Sequence, residues 1–470
     1  MSYIALLTVL YGLLGLACSI SATIHILLTK RDTAAAAGWI GVCWLMPILG
    51  SLLYLMLGIN RVHRRAQRMM EPEIIEKEMP LKELQHDADE QFVPLVRMLD
   101  RLTGRPLLGG NKVQCLHDGD NAYPVMLEAI SQAQHSVLLC SYIFRHDEAG
   151  DQFADALAAA RKRGVEVRVL VDGIGSGYFF SGIQNLLQSK AISCARFMHS
   201  FLPWRMPFLN MRDHRKILVV DGCVGFMGGL NIGAENLLRR PSREPVSDTH
   251  FRLEGPVVQQ LTEAFAKDWM FTTNEPLTGP RYFPEPQLKG DVPARIVTSG
   301  PDTDLEKIEY TMLQAIILAQ KEVWFMSPYF IPDSRFSTEL GLAALRGVEV
   351  NILVPKESNH RMTDYARDAC LPLLVNTGCH IWLGKPPFNH SKLMVVDQKW
   401  SFVGSANLDR RSLRLNFEIN VEIHDPHTAS HLESFIKRHC NEKLTKAGYK
   451  SWSLAVNLRN AIFRLFLPYL

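Results

Sequence analysis

One pattern occurs twice in this 470-residue chain and restricts it more than any other feature: His214-Arg-Lys216 running into Asp221, and His390-Ser-Lys392 running into Asp397. Each copy sits inside a longer duplication. Ala129-Ile-Ser-Gln-Ala133 parallels Ala315-Ile-Ile-Leu-Ala319, and Gly164-Val-Glu-Val parallels Gly347-Val-Glu-Val. Downstream, Gly228-Gly-Leu-Asn231 and Gly404-Ser-Ala-Asn407 keep the same spacing from the two motifs. Order is preserved while loop lengths drift, which is the mark of a duplicated domain. Within each half, β-branched runs alternate with Ala/Leu-rich stretches such as 151–163, an α/β pattern. The expected architecture is two tandem α/β domains, 107–290 and 291–445. Mixed sheets flanked by helices would be related by a pseudo-twofold and packed face to face on one cleft.

Residues i and i+2 of a strand point to one face, so His214 projects with Lys216 and His390 with Lys392. The apolar runs 217–220 and 393–396 bury those strands, and Asp221 and Asp397 close them at turns and complete the two catalytic triplets. Two imidazoles and two ammonium groups facing each other suit a phosphodiester. The lysines neutralise non-bridging oxygens, one histidine attacks phosphorus, and the other protonates the leaving alcohol and deprotonates the incoming one. No metal or cofactor is required. Gly228 and Ser405 are expected to let backbone approach a phosphate, and Asn231 and Asn407 to donate amide hydrogens to it. Asp248 and Glu418 lie on polar strand faces. The expectation is that Asp248 orients His214 and Glu418 orients His390, each fixing the tautomer of its partner.

The N-terminus has a different character. Segments 3–28 and 33–58 carry no Asp, Glu, Lys or Arg, and each exceeds the about 20 residues that cross a bilayer core. They are expected to form a transmembrane hairpin over 1–60, with Trp39, Trp44 and Tyr54 near the headgroups. Arg61, Arg64, Arg65 and Arg68 place the remainder on the cytoplasmic side by the positive-inside rule, although Lys30 and Arg31 in the intervening loop oppose it. Residues 61–106 read as a linker, with an amphipathic stretch over 60–85. Segment 446–470 carries Arg459 and Arg464 among Leu, Ile and Phe, and reads as an interfacial helix or one docked on the domain.

Composition narrows the alternatives. The net charge of +3 argues neither for nor against nucleic acid, but the apolar hairpin favours a lipid substrate over a polynucleotide. Nine cysteines are scattered singly without a Cys-x-x-Cys pair, which disfavours a disulfide framework or a zinc site. A non-enzymatic membrane scaffold would be expected to have lost one motif, and both are intact.

The paired motifs resemble those of the phospholipase D superfamily, and more closely its bacterial cardiolipin synthases. The similarity rests on Asn210-Met-Arg-Asp-His-Arg-Lys216, Asp248-Thr-His-Phe-Arg-Leu-Glu-Gly-Pro256, the stretch Gly404 to Glu418, the hairpin segments 45–50 and 55–61, and the ending 464–470. It covers essentially the whole chain and implies tandem phospholipase D-like domains. It further implies reversible phosphatidyl transfer between two phosphatidylglycerols, giving cardiolipin and glycerol through a phosphohistidine. By the same resemblance His214 is the nucleophile, His390 the acid and base, and the location a bacterial inner membrane. Hydrolysis to phosphatidic acid uses the same residues and is the alternative. One departure stands out: Gly229 occupies the place of Ser405, so the halves are not chemically equivalent. Segment 201–208, aromatic and basic, is either a lipid-facing loop or core. Oligomeric state is not legible.

Overall fold

The computed structural model describes residues 3–30, 33–58, 86, 88–177, 180–198, 211–240, 242–301 and 304–465. Arg31, the arginines at 61, 64, 65 and 68, the amphipathic stretch before 86, the 201–208 loop, Asn210 and the last five residues lie outside them.

The N-terminal unit departs from a simple hairpin. Tyr3–Thr29 is one long apolar helix, and it alone among the described residues is long and apolar enough to cross a membrane. The second run breaks into Thr33–Leu45, Pro47–Leu53 and a π-helical turn at Tyr54–Gly58. Pro47 is the cause: a ring there clashes with the preceding turn and supplies no N–H, and Met46 leaves helical geometry at φ −132°, ψ 74°. Gly50 tolerates the bend because a Cβ there would sit 2.3 Å from the Val42 carbonyl oxygen. Several polar side chains find partners inside the unit, as an apolar medium favours. Ser19 donates to the Cys43 carbonyl at 2.6 Å and Trp44 to Thr23 at 3.0 Å. Tyr54, expected near the headgroups, is buried and lies 2.7 Å from His25 Nδ1.

The second unit follows the duplication closely. Its first half contributes β1 (Leu108–His117), β2 (Ser136–Ser141), β3 (Glu166–Asp172), β4 (Ser193–Phe197), β5 (Ile217–Val220), β6 (Val224–Gly228), the two-residue β7 (Val246–Ser247) and β8 (Thr249–Glu254). The second contributes β9 (Val292–Ser299), β10 (Glu322–Met326), β11 (Glu349–Pro355), β12 (His380–Gly384), the short β13 (Phe388–Asn389), β14 (Leu393–Val396), β15 (Trp400–Gly404), β16 (Glu418–Ile423) and β17 (Cys440–Leu444). The halves do not stack face to face as expected. Antiparallel pairing of β1 with β9 joins them edge to edge into one sheet, ordered 17-12-11-10-14-15-16-9-1-8-6-5-2-3-4. That order reads the same from the centre outward in both halves, apart from β17 on the outer edge. Joining β9 to β1 removes an exposed strand edge from each half.

Local devices repeat as well. Asp147 and Asp333 cap helices Glu148–Lys162 and Ser334–Leu345 by accepting from Gly150 and Phe336, satisfying N–H groups that a helix start leaves unpaired. Gly164 and Gly347 follow those helices at φ +93° and +95°, the left-handed exit that glycine permits. Each half has its own apolar core. Segment 89–103, expected as linker, is instead built into the second: Phe92, Leu95 and Leu99 are buried there. The helix Leu454–Leu465 docks through one face, where Arg459 lies 3.7 Å over the Tyr365 ring and Phe463 packs 5.3 Å from it. Its other face leaves Leu454, Leu458, Ile462 and Leu465 exposed.

Candidate active site

The segment leading into β5 carries His214, and the segment leading into β14 carries His390. Each is pinned by the opposite half. His214 N–H donates to the Phe417 carbonyl at 2.9 Å and Phe417 N–H to the Arg212 carbonyl at 2.8 Å. Parallel pairing of β13 with β7, followed by His390 N–H to the Ser247 carbonyl at 2.7 Å, does the same on the other side. The two imidazole rings therefore meet, centroids 6.5 Å apart at 82°.

This cross-pairing corrects the carboxylate assignment. His214 Nδ1 lies 3.0 Å from Glu418, and His390 Nδ1 lies 2.8 Å from Asp248. Each histidine takes its carboxylate from the other half. The residues just before each carboxylate strand pair with the opposite motif, so the nearest carboxylate in space is the more distant one in sequence. With Nδ1–H donating to the carboxylate, both Nε2 lone pairs are free for chemistry.

The lysines complete the centre. Lys216 donates to the His214 carbonyl at 2.6 Å and lies 5.1 Å from the Tyr142 ring, and Lys392 donates to the His390 carbonyl. Both are almost entirely buried, at 2% and 4% exposure. Burial therefore pulls Lys216 down to about 8 and Lys392 to about 7, against the pull of Asp248 and Glu418. Burial, with Lys216 and Lys392, also holds His214 well below the ordinary imidazole range. Burial and Lys392 bring His390 to about 4, with Asp248 acting in the other direction. These groups resist carrying positive charge until an anion enters, which is what a phosphodiester supplies.

The carboxylates differ. Burial pushes Glu418 up to about 7 even though Lys216, Ser405, Asn416 and Lys392 pull it down. For Asp248 burial pushes the same way, but Lys392 and His390 outweigh it and the group lies below the usual carboxylate value. Ser405 Oγ donates to Glu418 and Asn416 Nδ2 to its other oxygen at 3.2 Å. Ser405 is thus committed to the carboxylate and not to a phosphate. At the matching place in the first half a Cβ on Gly229 would sit 2.3 Å from Asp248 Oδ1; the carboxylate fills the space that a serine side chain takes in the other half.

Other expected site residues serve the framework. Asp221 accepts from the backbone N–H groups of Gln134, His135 and Ser136, and Asp397 from those of Gln320, Lys321 and Glu322. Both hold left-handed turns at φ 52° and 53°, at the far end of a strand and roughly 20 Å along the chain from the reacting imidazole. They clamp β5 to β2 and β14 to β10. Gly228, at φ +152°, makes its close approach to β8, where a Cβ would lie 2.6 Å from the Thr249 oxygen. Asn231 accepts from Ile143 N–H at 3.2 Å, and Asn407 Nδ2 donates to Ser412 at 3.2 Å while its Oδ1 has no partner among the described residues. Tyr142, edge-on to His214 at 4.8 Å, and Tyr329, 6.1 Å from His390, also border the centre, and no motif in the sequence marks them. Asn416, two residues before Glu418, is signalled only by that spacing.

Residues 126–269 and 312–440 match the family described as cardiolipin synthase, PLD-like domain, and 17–58 match a phospholipase D-nuclease N-terminal family. The chain is 32% identical to the major cardiolipin synthase ClsA of Bacillus subtilis over 485 residues, covering 100% of both. It is 31% identical to cardiolipin synthase 1 of Bacillus anthracis over 487 residues, covering 100% of this chain and 95% of that one. Among solved structures, phosphatidylserine synthase of Haemophilus influenzae superposes with a TM-score of 0.60 at 15% identity, covering 79% of this chain and 97% of that one; at that identity it speaks for the fold alone.

Proposed function

The chain belongs to the cardiolipin synthase family of phospholipase D-like phosphatidyltransferases, and from that premise we propose how its own residues make cardiolipin from two phosphatidylglycerols. His214 Nε2 attacks the phosphorus of the donor lipid. A nitrogen–phosphorus bond forms, the bond to the headgroup glycerol oxygen breaks, and His390, which takes up a proton on Nε2 when the anionic lipid binds, gives that proton to the oxygen. Glycerol leaves. His390 then takes the proton of a primary hydroxyl on a second phosphatidylglycerol. That oxygen attacks phosphorus, the bond to His214 breaks, and cardiolipin departs with the enzyme restored. Lys216 and Lys392 hold the non-bridging oxygens throughout, with Asn231 and Asn407 as further amide donors once the lipid is bound.

The observation that carries this reading is the pair of crossed imidazole–carboxylate contacts, which turn Nδ1 of each ring to a carboxylate and leave both Nε2 atoms for the substrate, the ring centroids 6.5 Å apart. The division of labour follows from the carboxylates. An ionised Asp248 stabilises the imidazolium that a proton donor must pass through, so His390 is the acid and base. A nucleophile must stay neutral, and His214, held well below the ordinary imidazole range and paired with the more basic Glu418, meets that need. Asp221 and Asp397 support the site by fixing the strands that carry it.

The apolar N-terminal helix associates the protein with a membrane. We extend this to a multi-pass inner-membrane protein, the second run crossing with a kink at Pro47, which membrane helices tolerate, and the catalytic unit on the cytoplasmic side. The basic residues at 61–68 support that side, and the exposed Leu/Ile face of Leu454–Leu465 supports contact with lipid.

The test is product analysis. Purified enzyme with phosphatidylglycerol in liposomes should yield cardiolipin and free glycerol in equal amounts. Phosphatidic acid as the sole product would replace transfer by hydrolysis.

A further inference from the structure

Cys115 and His117 alternate on β1, so their side chains share a face. The helix Pro426–His439 of the second half brings His431 against them. Cys115 Sγ lies 3.6 Å from His117 Nε2, His117 Nε2 lies 3.3 Å from His431 Nε2, and all three donor atoms fall within 4.8 Å of one another. A tetrahedral zinc with bonds of about 2.3 Å to sulfur and about 2.0 Å to nitrogen sets its ligands about 3.3 Å apart between nitrogens and about 3.5 Å between sulfur and nitrogen. Two edges of the triangle already have those lengths. We propose that Cys115, His117 and His431 form a binding site for a zinc-class divalent cation, tying β1 of the first half to the Pro426–His439 helix of the second.

The surroundings suit this. Thr249 Oγ1 lies 3.4 Å from His117 Nδ1. A proton on Nδ1 then leaves the Nε2 lone pair facing the cluster, the second-shell arrangement usual for ligating histidines. Phe435 stacks on the His117 ring at 4.1 Å and 8°, which fixes its plane. A cation bound here displaces the proton of the Cys115 thiol. The resulting thiolate offsets the nearby Arg438. One sulfur and two imidazoles select a borderline-soft ion over calcium or magnesium. The fourth position falls to water on the exposed His431 side. Thr249 also meets Ser391 at 2.8 Å, and Ser391 separates His390 from Lys392, so the cation would stiffen the seam behind that motif.

The site does not depend on the phosphoryl chemistry, and its test is binding rather than turnover. Untagged full-length protein in detergent, stripped of metal, is titrated with Co²⁺ and then Zn²⁺. The expected result is one equivalent of Co²⁺ with a thiolate charge-transfer band, displaced by Zn²⁺. The band should be lost in Cys115→Ser, and affinity should fall at least tenfold (roughly, for one ligand of three) in His431→Ala. His439→Ala, outside the triad, should bind as wild type. Because His431 is at the surface, metal-free His431→Ala should melt with wild type, and Zn²⁺ should raise the melting temperature of wild type only. Absence of the band in wild type, or equal affinity in wild type and His431→Ala, would overturn the proposal.

Discussion

The two halves of the catalytic unit share strand order, helix caps, positive-φ turns and motif, yet they equip the centre unequally. The first half supplies Asp248, packed against the bare backbone of Gly229. The second supplies Glu418, one methylene longer and held by Ser405 and Asn416. Because the contacts cross, the first half's histidine receives the more basic carboxylate and the second half's histidine the ionised one. A symmetric scaffold thus carries an asymmetric pair of proton affinities, as two-step chemistry needs: one group that stays neutral to attack and one that shuttles a proton.

The sharpest way to break this comparison is at the imidazoles. His214→Ala and His390→Ala should each lose about 10⁴-fold or more in kcat. With a donor lipid bearing an activated leaving group, His390→Ala should still accumulate a covalent phosphatidyl-enzyme and His214→Ala should not. Label retained on His390 in the second variant would reverse the assignment.

Next come the carboxylates. Asp248→Asn should cost about 10³-fold, since it removes a charge that stabilises an imidazolium. Glu418→Gln should cost only about tenfold near neutral pH, because Glu418 is already partly protonated there. Equal losses in kcat would mean the two contacts do the same work. The supporting residues should be unequal too. Gly229→Ser forces a side chain into Asp248 and should lower kcat by some tens of fold, whereas Ser405→Gly should lower it only a few-fold, roughly the worth of one hydrogen bond. A harmless Gly229→Ser would dissociate the glycine from the carboxylate's position.

The smallest effect is on stability. Glu418 titrates at about 7 in the folded chain against an ordinary 4.5, so between those values the folded enzyme holds a proton that the unfolded chain has released. That contribution is complete below about pH 4.5 and is lost as pH rises through about 7. Glu418→Gln cannot titrate. Its unfolding free energy should therefore improve relative to wild type as pH rises across that window, and parallel denaturation curves at both ends would contradict it.

Much of the fold was legible because the duplication is written in contiguous segments: the strand runs, the His-x-Lys spacing and the Gly-Val-Glu-Val turns. The crossing was not, because the pairing of 212–214 with 417 and of 388–390 with 246–247 leaves no local periodicity. Edge-to-edge joining was hidden for the same reason, as Leu108–His117 carries no mark of which strand it meets. The spacing of the aspartates at 221 and 397 suits a catalytic triplet and equally suits a carboxylate that caps three N–H groups, so the sequence alone does not separate the two roles. The contact of Ser405 with Glu418 is not legible because that partner lies on the next strand. The break in the second apolar run was visible in Pro47, but run length alone concealed it.

Exchange of carboxylates across the centre bears on the origin of the chain. A lone half would present an imidazole with no acid beside it and, at β1 or β9, an unpaired strand edge. It could acquire both only from a second copy of itself, joined about a twofold axis. The present polypeptide is in effect such a dimer fused in tandem. Fusion released the two copies from being identical, and Asp248 with Gly229 against Glu418 with Ser405 records the divergence that an obligate homodimer could not have made.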